Sequence, residues 1–283
     1  MINQNEIPIR NACVAFNVGK SSFYDWRIKY PLILEDNALR KEIQGVALEF
    51  PFYGYRRITK ELNRRSIQVN HKRVLRIMKE DNLLCRRKRT FKPVTTNSDH
   101  SYRVYPNLTK NVEVTGLNQI WVSDITYIRM PRGFIYLSAI EDRFSRKCIG
   151  WGLSVDIDTR LAIDALEMAL EKRKSIGFSN LIHHSDRGVQ YASHEYVNIL
   201  QEKGIKISMS RGGNPYDNAF AESFNKTLKV EEVYINDYET FEEAYKNLKH
   251  FIELVYNKKR LHSSIGYVPP EEFEMEVLKT RVT

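Results

Sequence analysis

Three acidic residues in the second half of the chain have types and spacing that could perform chemistry. Asp124 stands in the middle of a predicted strand, Asp186 follows another predicted strand, and Glu222 lies on a predicted helix. An acid inside a buried strand is costly to desolvate unless it is paired or bound to a metal. Three carboxylates on three elements, without a cysteine or a good set of histidines, suit Mg²⁺ or Mn²⁺ better than zinc.

Two histidines just before the second acid raise the alternative of a zinc site. His183 and His184 are adjacent on the predicted strand 180–186. Because adjacent strand residues point to opposite faces of a sheet, the two cannot both ligate one ion without distortion. We expect one of them in the core and the other beside the acidic cleft.

The predicted helix that carries Glu222 separates an apolar stripe from a charged face. At 100° per residue the stripe consists of Phe220, Phe224 and Leu228. Glu222, Lys226 and Lys229 fall nearly opposite, facing either a cleft or solvent. On this helix alone, an ordinary solvated face with a Glu–Lys pair is the simpler interpretation. Asn225 is expected either to touch DNA or to be a satisfied surface amide.

The elements that position these acids alternate in a way that is typical of an α/β fold with a mixed sheet. β-Branched and aromatic runs separated by tight turns predict a three-strand meander. The predicted strands are 118–130, 133–145, 147–155, 180–186 and 205–210. The predicted helices in this half are 158–174, 193–204, 219–234 and 239–260, followed by a closing loop at 260–273.

The charge of the chain is divided unevenly between its two parts. The 283 residues carry a net charge of +9. Residues 1–110 hold 22 Lys and Arg against 10 Asp and Glu, whereas residues 111–283 hold 22 against 25. A basic part that meets a polyanion and a separate second part explain this asymmetry. A merely well-solvated basic surface would show the same balance.

The basic part contains two predicted helix pairs. The pair at 56–65 and 71–80 favours a helix-turn-helix, whose second helix enters the major groove of DNA. That helix presents four donors suited to phosphates and guanine edges, namely Lys72, Arg73, Arg76 and Lys79. The pair at 6–16 and 21–29 is equally consistent with an ordinary helical segment. Arg86 and Arg87 open a basic linker that either tracks a phosphate backbone or is only a solvated tether.

Several longer motifs resemble those of a known family, the DDE transposases of bacterial insertion sequences, which are relatives of retroviral integrases. The motifs are WVSDITYI at 121–128, HSDRGxQY at 184–191, NPYDNAxxESF at 214–224, YNxxRLHSSIGYxPP at 256–270 and YGYRRI at 53–58. The 35 residues between Asp186 and Glu222 are the characteristic spacing of that family. Lys229 also stands where the family has a basic residue. The resemblance covers most of the chain.

The resemblance implies a ribonuclease-H-like core in which Asp124, Asp186 and Glu222 are the catalytic, metal-binding triad. Two Mg²⁺ or Mn²⁺ ions would clamp the attacking and leaving oxygens of a displacement at phosphorus. We expect Asp124 and Asp186 to be shared ligands and Glu222 to bind the second ion. Lys226 and Lys229 would hold the DNA backbone. The implied reaction is strand cleavage that leaves a 3′-OH, followed by strand transfer.

The resemblance also predicts the organisation and partners of the protein. We expect five segments, which are a helix-turn-helix-like segment (1–33), a second such module (34–84), a basic linker (85–116), the ribonuclease-H-like core (117–235) and a C-terminal helix with its loop (236–283). In this group the enzyme is typically encoded in two overlapping frames, and the chain resembles the downstream product. Expected partners are DNA at element ends and targets, further copies of the chain, and the upstream product or a frameshifted fusion.

The sequence predicts an intracellular, reducing location, and the resemblance implies that this is the cytoplasm of a bacterium. The N-terminus has no apolar core typical of a signal peptide, and no run approaches the roughly 18 apolar residues needed to span a membrane. The three widely spaced cysteines predict neither disulfides nor a zinc pattern.

Two other functions compete with a transposase. The first is a non-catalytic DNA-binding regulator of transposition with an inert second half, and the second is a nuclease limited to cleavage. The intact set of three acids argues against the regulator.

Overall fold

The computed structural model of the chain describes residues 8–85, 102–211 and 218–280. Arg86 and Arg87, two of the predicted DNA contacts, lie outside these residues. The internal contacts divide the chain into two compact units, Met1–Lys88 and Arg89–Thr283. Within the described residues, no helix is both long enough and apolar enough to cross a membrane.

The N-terminal unit is helical, as its sequence predicts. Its helices are α1 (Ile9–Ala15), α2 (Lys20–Glu49), α3 (Tyr55–Arg64) and α4 (His71–Glu80). The predicted helix pair at 56–65 and 71–80 is confirmed by α3 and α4. The prediction of a short helix at 21–29 is wrong in length, because α2 continues to Glu49.

Helices α3 and α4 present apolar stripes to a small core. Ile58 and Leu62 of α3 and Val74 and Ile77 of α4 are fully buried, since residues three or four apart share one face of a helix. The side chain of Asn70 caps α4 by accepting a hydrogen bond from the backbone N–H of Lys72 at 2.8 Å. The start of α4 is therefore specified locally.

The second unit contains a five-stranded mixed sheet with flanking helices. Its strands are β1 (Ile120–Arg129), β2 (Phe134–Asp142), β3 (Cys148–Ser154), β4 (Ile182–Ser185) and β5 (Lys206–Met209). They lie in the order β3-β2-β1-β4-β5. The first three form an antiparallel meander, and β4 and β5 join it in parallel. This topology confirms the predicted ribonuclease-H-like α/β fold class.

In the described part of this unit, six α-helices accompany the sheet. They are α5 (Thr159–Arg173), α6 (Val189–Ala192), α7 (His194–Glu202), α8 (Ala219–Leu228), α9 (Phe241–His250) and α10 (Pro270–Thr280). Helix α5 packs so close to β3 that a Cβ atom on Gly150 or Gly152 would collide with backbone carbonyl oxygens of the helix. Phe224 and Leu228 of α8 are buried, which confirms the predicted apolar stripe.

The C-terminal segment is more ordered than its sequence suggested. Helices α8 and α9 continue as π-helical stretches, Lys229–Val233 and Phe251–Lys259. The prediction of a closing loop at 260–273 is wrong for its last residues, because α10 begins at Pro270. Proline in the first position, followed by Glu271 and Glu272 in the first turn, is a recognisable helix start.

The residues at the end of the second π-helical stretch fasten it to the sheet. The Tyr256 hydroxyl donates to Oε1 of Glu141 at 2.5 Å. Asn257 exchanges two hydrogen bonds with the backbone of Cys148, at 3.0 and 2.9 Å. Arg260 is buried and binds both oxygens of Glu231. The YNxxR part of the tail motif is therefore structural.

Candidate active site

Asp124 lies on the sheet face that α8 covers. Val122 and Ala221 of α8 share one apolar cluster, and Ile128 packs with Phe224 in another. Because strand residues two apart share a face, Asp124 lies between these contacts. It is partly buried, and its Oδ2 accepts a hydrogen bond from Nδ2 of Asn225 at 2.9 Å.

The parallel pairing of β1 and β4 brings Asp186 beside Asp124. The parallel ladder ends with the pair Val122–His184, two residues before each aspartate. The negative charge of Asp186 acts on Asp124, which shows that the two carboxylates are neighbours. Strand β4 ends at Ser185. Asp186 therefore begins the following loop, where its Oδ1 accepts a hydrogen bond from the N–H of Gly188 at 2.9 Å.

Glu222 reaches the same region from the first turn of α8. It is exposed and precedes Asn225 by three residues. Residues three apart are neighbours on a helix surface. The hydrogen bond from Asn225 to Asp124 therefore turns the Glu222 side of α8 toward the two aspartates.

The pKa of Asp124 is affected by the charges of both other acids. Burial, followed by the negative charge of Asp186, raises the pKa of Asp124 to about 7, and Glu222 adds to the increase. The hydrogen bond from Asn225 opposes this rise in pKa. The site therefore concentrates more negative charge than its surroundings neutralise, which is a condition that a cation would relieve.

The site fits a divalent cation by its chemistry and charge. Its ligands are hard carboxylate oxygens. Among the described residues, no three His, Cys, Asp or Glu side chains are grouped closely enough to hold a metal ion. Sharing an ion would therefore require the three carboxylates to approach one another. The exposed side chain of Glu222 has the rotational freedom to do so.

The two predicted backbone-holding lysines differ in their surroundings. Nζ of Lys229 lies 3.8 Å from the centroid of the Tyr127 ring, a cation–π contact at the wall of the site. Burial lowers the pKa of Lys229, and Asp124 opposes this shift. Lys226 is exposed. Both lysines lie on the polar side of α8 or its continuation, as the wheel predicts.

The histidines do not line the site. His183 and His184 are both buried, so the prediction that one of them borders the cleft is wrong. Nε2 of His183 lies 2.9 Å from the Tyr196 hydroxyl, and Nδ1 of His184 lies 2.8 Å from Oγ of Ser208. Burial lowers the pKa of His183 to about 3. It is therefore neutral at physiological pH and serves the core.

Two asparagines attach α8 to β1, a role that the sequence did not predict for either of them. Asn225 is buried at Asp124, so neither expectation for it, a DNA contact or a surface amide, is correct. Asn218, also buried, donates from Nδ2 to the carbonyl oxygen of Ser123 at 3.0 Å. One signal was available, because Asn225 lies only about 60° from Leu228 on the helical wheel, beside the apolar stripe.

In the N-terminal unit, the predicted DNA-contacting residues fall into two groups. Nε of Arg73 and Nη2 of Arg76 donate to the two carboxylate oxygens of Asp36 on α2, at 2.8 and 2.7 Å. These hydrogen bonds, that of Arg76 first, lower the pKa of Asp36. Lys72 and Lys79 are exposed on α4. The two lysines are thus more available than the arginines to an incoming phosphate.

Comparison with protein families identifies domains in both units. An "HTH-like domain" model matches residues 34–91. Two models described as "Integrase core domain" match residues 115–215 and 203–270. The two integrase-core matches together cover the sheet, the three acids and the tail motif.

Curated relatives match nearly the whole chain. It is 37% identical over 265 residues to an IS600 insertion-element protein of Shigella sonnei, which covers 92% of this chain and 96% of that protein. It is 35% identical over 278 residues to the transposase InsF for insertion sequence IS3A of Escherichia coli, covering 96% of each. The transposase of element IS904 from Lactococcus lactis is 40% identical over 243 residues, which cover 85% of this chain and 95% of that protein.

Among solved structures, the chain is similar to the catalytic core domain of BIV integrase. It is 20% identical, covers 59% of this chain and 99% of that domain, and has a TM-score of 0.42.

Proposed function

The chain belongs to the family of insertion-sequence transposases of the IS3 type, and from this premise we propose that it cuts and joins DNA at a carboxylate–metal site. Asp124, Asp186 and Glu222 are the proposed catalytic residues and metal ligands. The observation that carries this assignment is the 2.9 Å hydrogen bond from Asn225 to Asp124, which holds the helix of Glu222 against the strand of Asp124. Burial and the charges of Asp186 and Glu222, which raise the pKa of Asp124, support it. Three acids from three elements would not share one environment without a compensating partner.

The proposed cofactor is a pair of Mg²⁺ or Mn²⁺ ions. When bound, such ions activate the attacking oxygen and stabilise the leaving oxygen at phosphorus. Asp124 and Asp186, carried by the neighbouring parallel strands β1 and β4 and the loop that follows β4, are the proposed shared ligands. Glu222, which comes from a different element, is the proposed ligand of the second ion.

Other residues of the chain hold the ligands and the DNA in place. Asn225 fixes one oxygen of Asp124, and the N–H of Gly188 fixes one oxygen of Asp186. Lys226 and Lys229 would neutralise the phosphates that flank the scissile bond. Because Lys229 is held against Tyr127, its charge has a defined position beside the acids.

The N-terminal unit is the proposed DNA-recognition module. Helix α4 offers Lys72 and Lys79 directly, whereas Arg73 and Arg76 must exchange Asp36 for phosphate or base edges. Arg86 and Arg87 remain proposed backbone contacts of the adjoining segment. Further copies of the chain and the upstream-frame product are the proposed protein partners. The proposed location is the cytoplasm of a bacterium, and the bacterial origin of the relatives supports it.

The proposed function is tested with a duplex that carries the terminal sequence of the element that encodes this chain. With Mg²⁺, the protein is expected to nick the strand at the element end and to join the resulting 3′-OH to target DNA. A chelator should abolish both products and leave DNA binding intact. Cleavage without joining would favour a nuclease, and binding without either product would favour a regulator.

Replacement of Asn225 by Ala should slow cleavage by about 10- to 100-fold, the usual cost of losing a partner of a metal ligand. The substitution frees Oδ2 of Asp124 to rotate, so the metal concentration for half-maximal cleavage should rise. Metal titrations of the cleavage rate measure both effects. Ser223→Ala, exposed on the same helix, is the matched control and should stay within twofold of the wild type. A normal metal titration for Asn225→Ala would contradict the positioning role.

Replacement of Asp36 by Asn should strengthen DNA binding, because it removes the negative charge that Arg73 and Arg76 share and leaves them only Glu35, 3.6 Å from Arg73, and Glu80, 2.9 Å from Arg76. The slope of the logarithm of the affinity against the logarithm of the salt concentration should become steeper, by roughly the amount that one to two additional phosphate contacts would cause. Lys72→Ala should have the opposite effect and reduce the slope by about one. Fluorescence anisotropy at several salt concentrations measures both slopes. Equal affinities for Asp36→Asn and the wild type at all salt concentrations would show that these arginines face away from DNA.

A further inference from the structure

A cleft of about 280 Å³ opens beside the proposed metal site. Asp186 lines it, so the cleft and the acids share a wall. Its lining also includes Tyr127 and Tyr136, and the residues Ile157, Val189 and Gln190, which we call the rim. We refer to it as the tyrosine cleft.

The two tyrosines form a continuous wall because their strands place them together. Tyr127 of β1 and Tyr136 of β2 are direct partners in the antiparallel register. Directly opposite residues of an antiparallel pair point to the same face, with their Cβ atoms about 5 Å apart. Lys229 lies over the Tyr127 ring, and the Phe134 ring packs edge-on against it at 5.6 Å. The Tyr127 ring is therefore held in place.

The chemistry of the walls selects against a phosphate and favours a flat, neutral group. Of the described residues that line the cleft, Asp186 alone carries a charge, and that charge is negative. A phosphate would be repelled there. A nucleobase has a π-face that stacks on aromatic side chains, and it can accept or donate hydrogen bonds along its edge.

We propose that the tyrosine cleft holds one unstacked nucleobase of the DNA strand that is cut or joined at the acids. This inference rests on the proposed function, because it requires the strand to pass Asp186. A phosphate positioned at Asp186 places the adjacent base next to the cleft. Enzymes that modify a base rotate its nucleotide out of the stack at a cost of a few kcal/mol that pocket contacts offset, and the same cost would apply to a base held in the tyrosine cleft.

The backbone of the rim is held in place, so a larger side chain introduced there can be used to fill the cleft. Nε2 of Gln190 donates to the carbonyl oxygen of Ile157 at 3.0 Å, which holds the backbone of the rim. The Ile157 side chain is 39% exposed, so a larger residue can be accommodated without disturbing the core. Ile157→Trp should fill the cleft from this side. Val155→Trp, at a 58% exposed position outside the lining, is the matched control.

The experiment combines these variants with element-end duplexes in which one nucleotide near the cut at a time lacks its base. On intact DNA, Tyr136→Ala and Ile157→Trp should each slow cleavage in Mg²⁺ about fivefold or more, as expected for loss of one stacking contact. At one position, removal of the base should bring both variants to within twofold of the wild type. Val155→Trp should match the wild type on every duplex.

Binding of the same duplexes in a chelator supplies a second readout that does not depend on catalysis. The affinity differences should disappear at the same abasic position. Equal cleavage and affinity for all four proteins on intact DNA would overturn the proposal, as would defects that persist at every abasic position. A wild-type protein that binds but never cuts would overturn the proposed function, and the binding series would then still decide the role of the cleft.

Discussion

Replacement of Asp124 by Asn is expected to reduce cleavage and joining by about 10³-fold or more, while making the metal-free protein more stable at pH 8. The loss of activity follows because an amide neither carries the charge that holds hard cations nor replaces a shared ligand. The gain in stability follows from the raised pKa of this carboxyl. The two effects have opposite signs, which distinguishes a functional acid from a structural one.

The sign of the stability change follows from proton binding. In the folded protein the pKa of Asp124 is raised from 3.8 to about 7. The folded state therefore binds a proton that the unfolded state has released, and its stability falls as pH rises from about 4 through 7. Above pH 7 the charged form carries the full penalty, which Asn removes. The free energy of unfolding is expected to rise by roughly 1–3 kcal/mol at pH 8, which is less than the full change in the pKa of Asp124 would correspond to.

Single-turnover cleavage and thermal unfolding in a chelator, at pH 5 and pH 8, measure these effects. The stability gain should be largest at pH 8 and small at pH 5. Asp156→Asn, at an exposed position after β3, is the control and should change neither quantity. If Asp124→Asn retained a tenth of the cleavage rate, or lost stability at pH 8, the assignment of Asp124 to the metal site would be wrong.

Replacement of Glu274 by Ala should destabilise the second unit by about 3–5 kcal/mol, because it leaves Arg173 as a buried cation with a distant partner. Both residues are only 4% exposed. Arg173 donates two hydrogen bonds to Glu274, one of them at 3.1 Å. Its other partner, Oδ2 of Asp142, lies 3.8 Å away. Ser145 also donates to Glu274, at 2.5 Å.

The expected fall in the midpoint of thermal unfolding is roughly 6–20 °C for a unit of this size. Glu276→Ala, exposed on the same helix, should change it little. The double variant Arg173→Met with Glu274→Leu should recover at least half of the loss, since apolar residues can replace a buried ion pair. A loss below 1 kcal/mol for Glu274→Ala would show that α10 does not hold the core through this pair.

Much of the fold could be predicted because its signals are local. The β-branched and aromatic runs of β1 to β3 and the apolar stripes of α3, α4 and α8 each depend on residues that are close in sequence. The three acids could be identified in the same way, by their type and by the elements that carry them. The family motifs added the expectation that those elements meet.

The contacts around the site depend on partners that are distant in sequence. Asn225 and Asp124 are 101 residues apart, and so are Arg173 and Glu274. Arg73 appeared free to contact DNA because nothing in its own helix reveals Asp36, which lies 37 residues away. The burial of both histidines likewise results from α7 and β5 packing beside β4.

The sequence by itself determined which elements form, which acids they carry and which half of the chain is basic, because periodicity, capping and charge act over short stretches. Only the tertiary structure decided which amides hold Asp124 and Ser123, which arginines are already paired, and where the tyrosine cleft opens. A hydrogen bond or an ion pair forms when two groups meet at the right distance. That meeting depends on how the helices pack on the sheet, which no local pattern encodes.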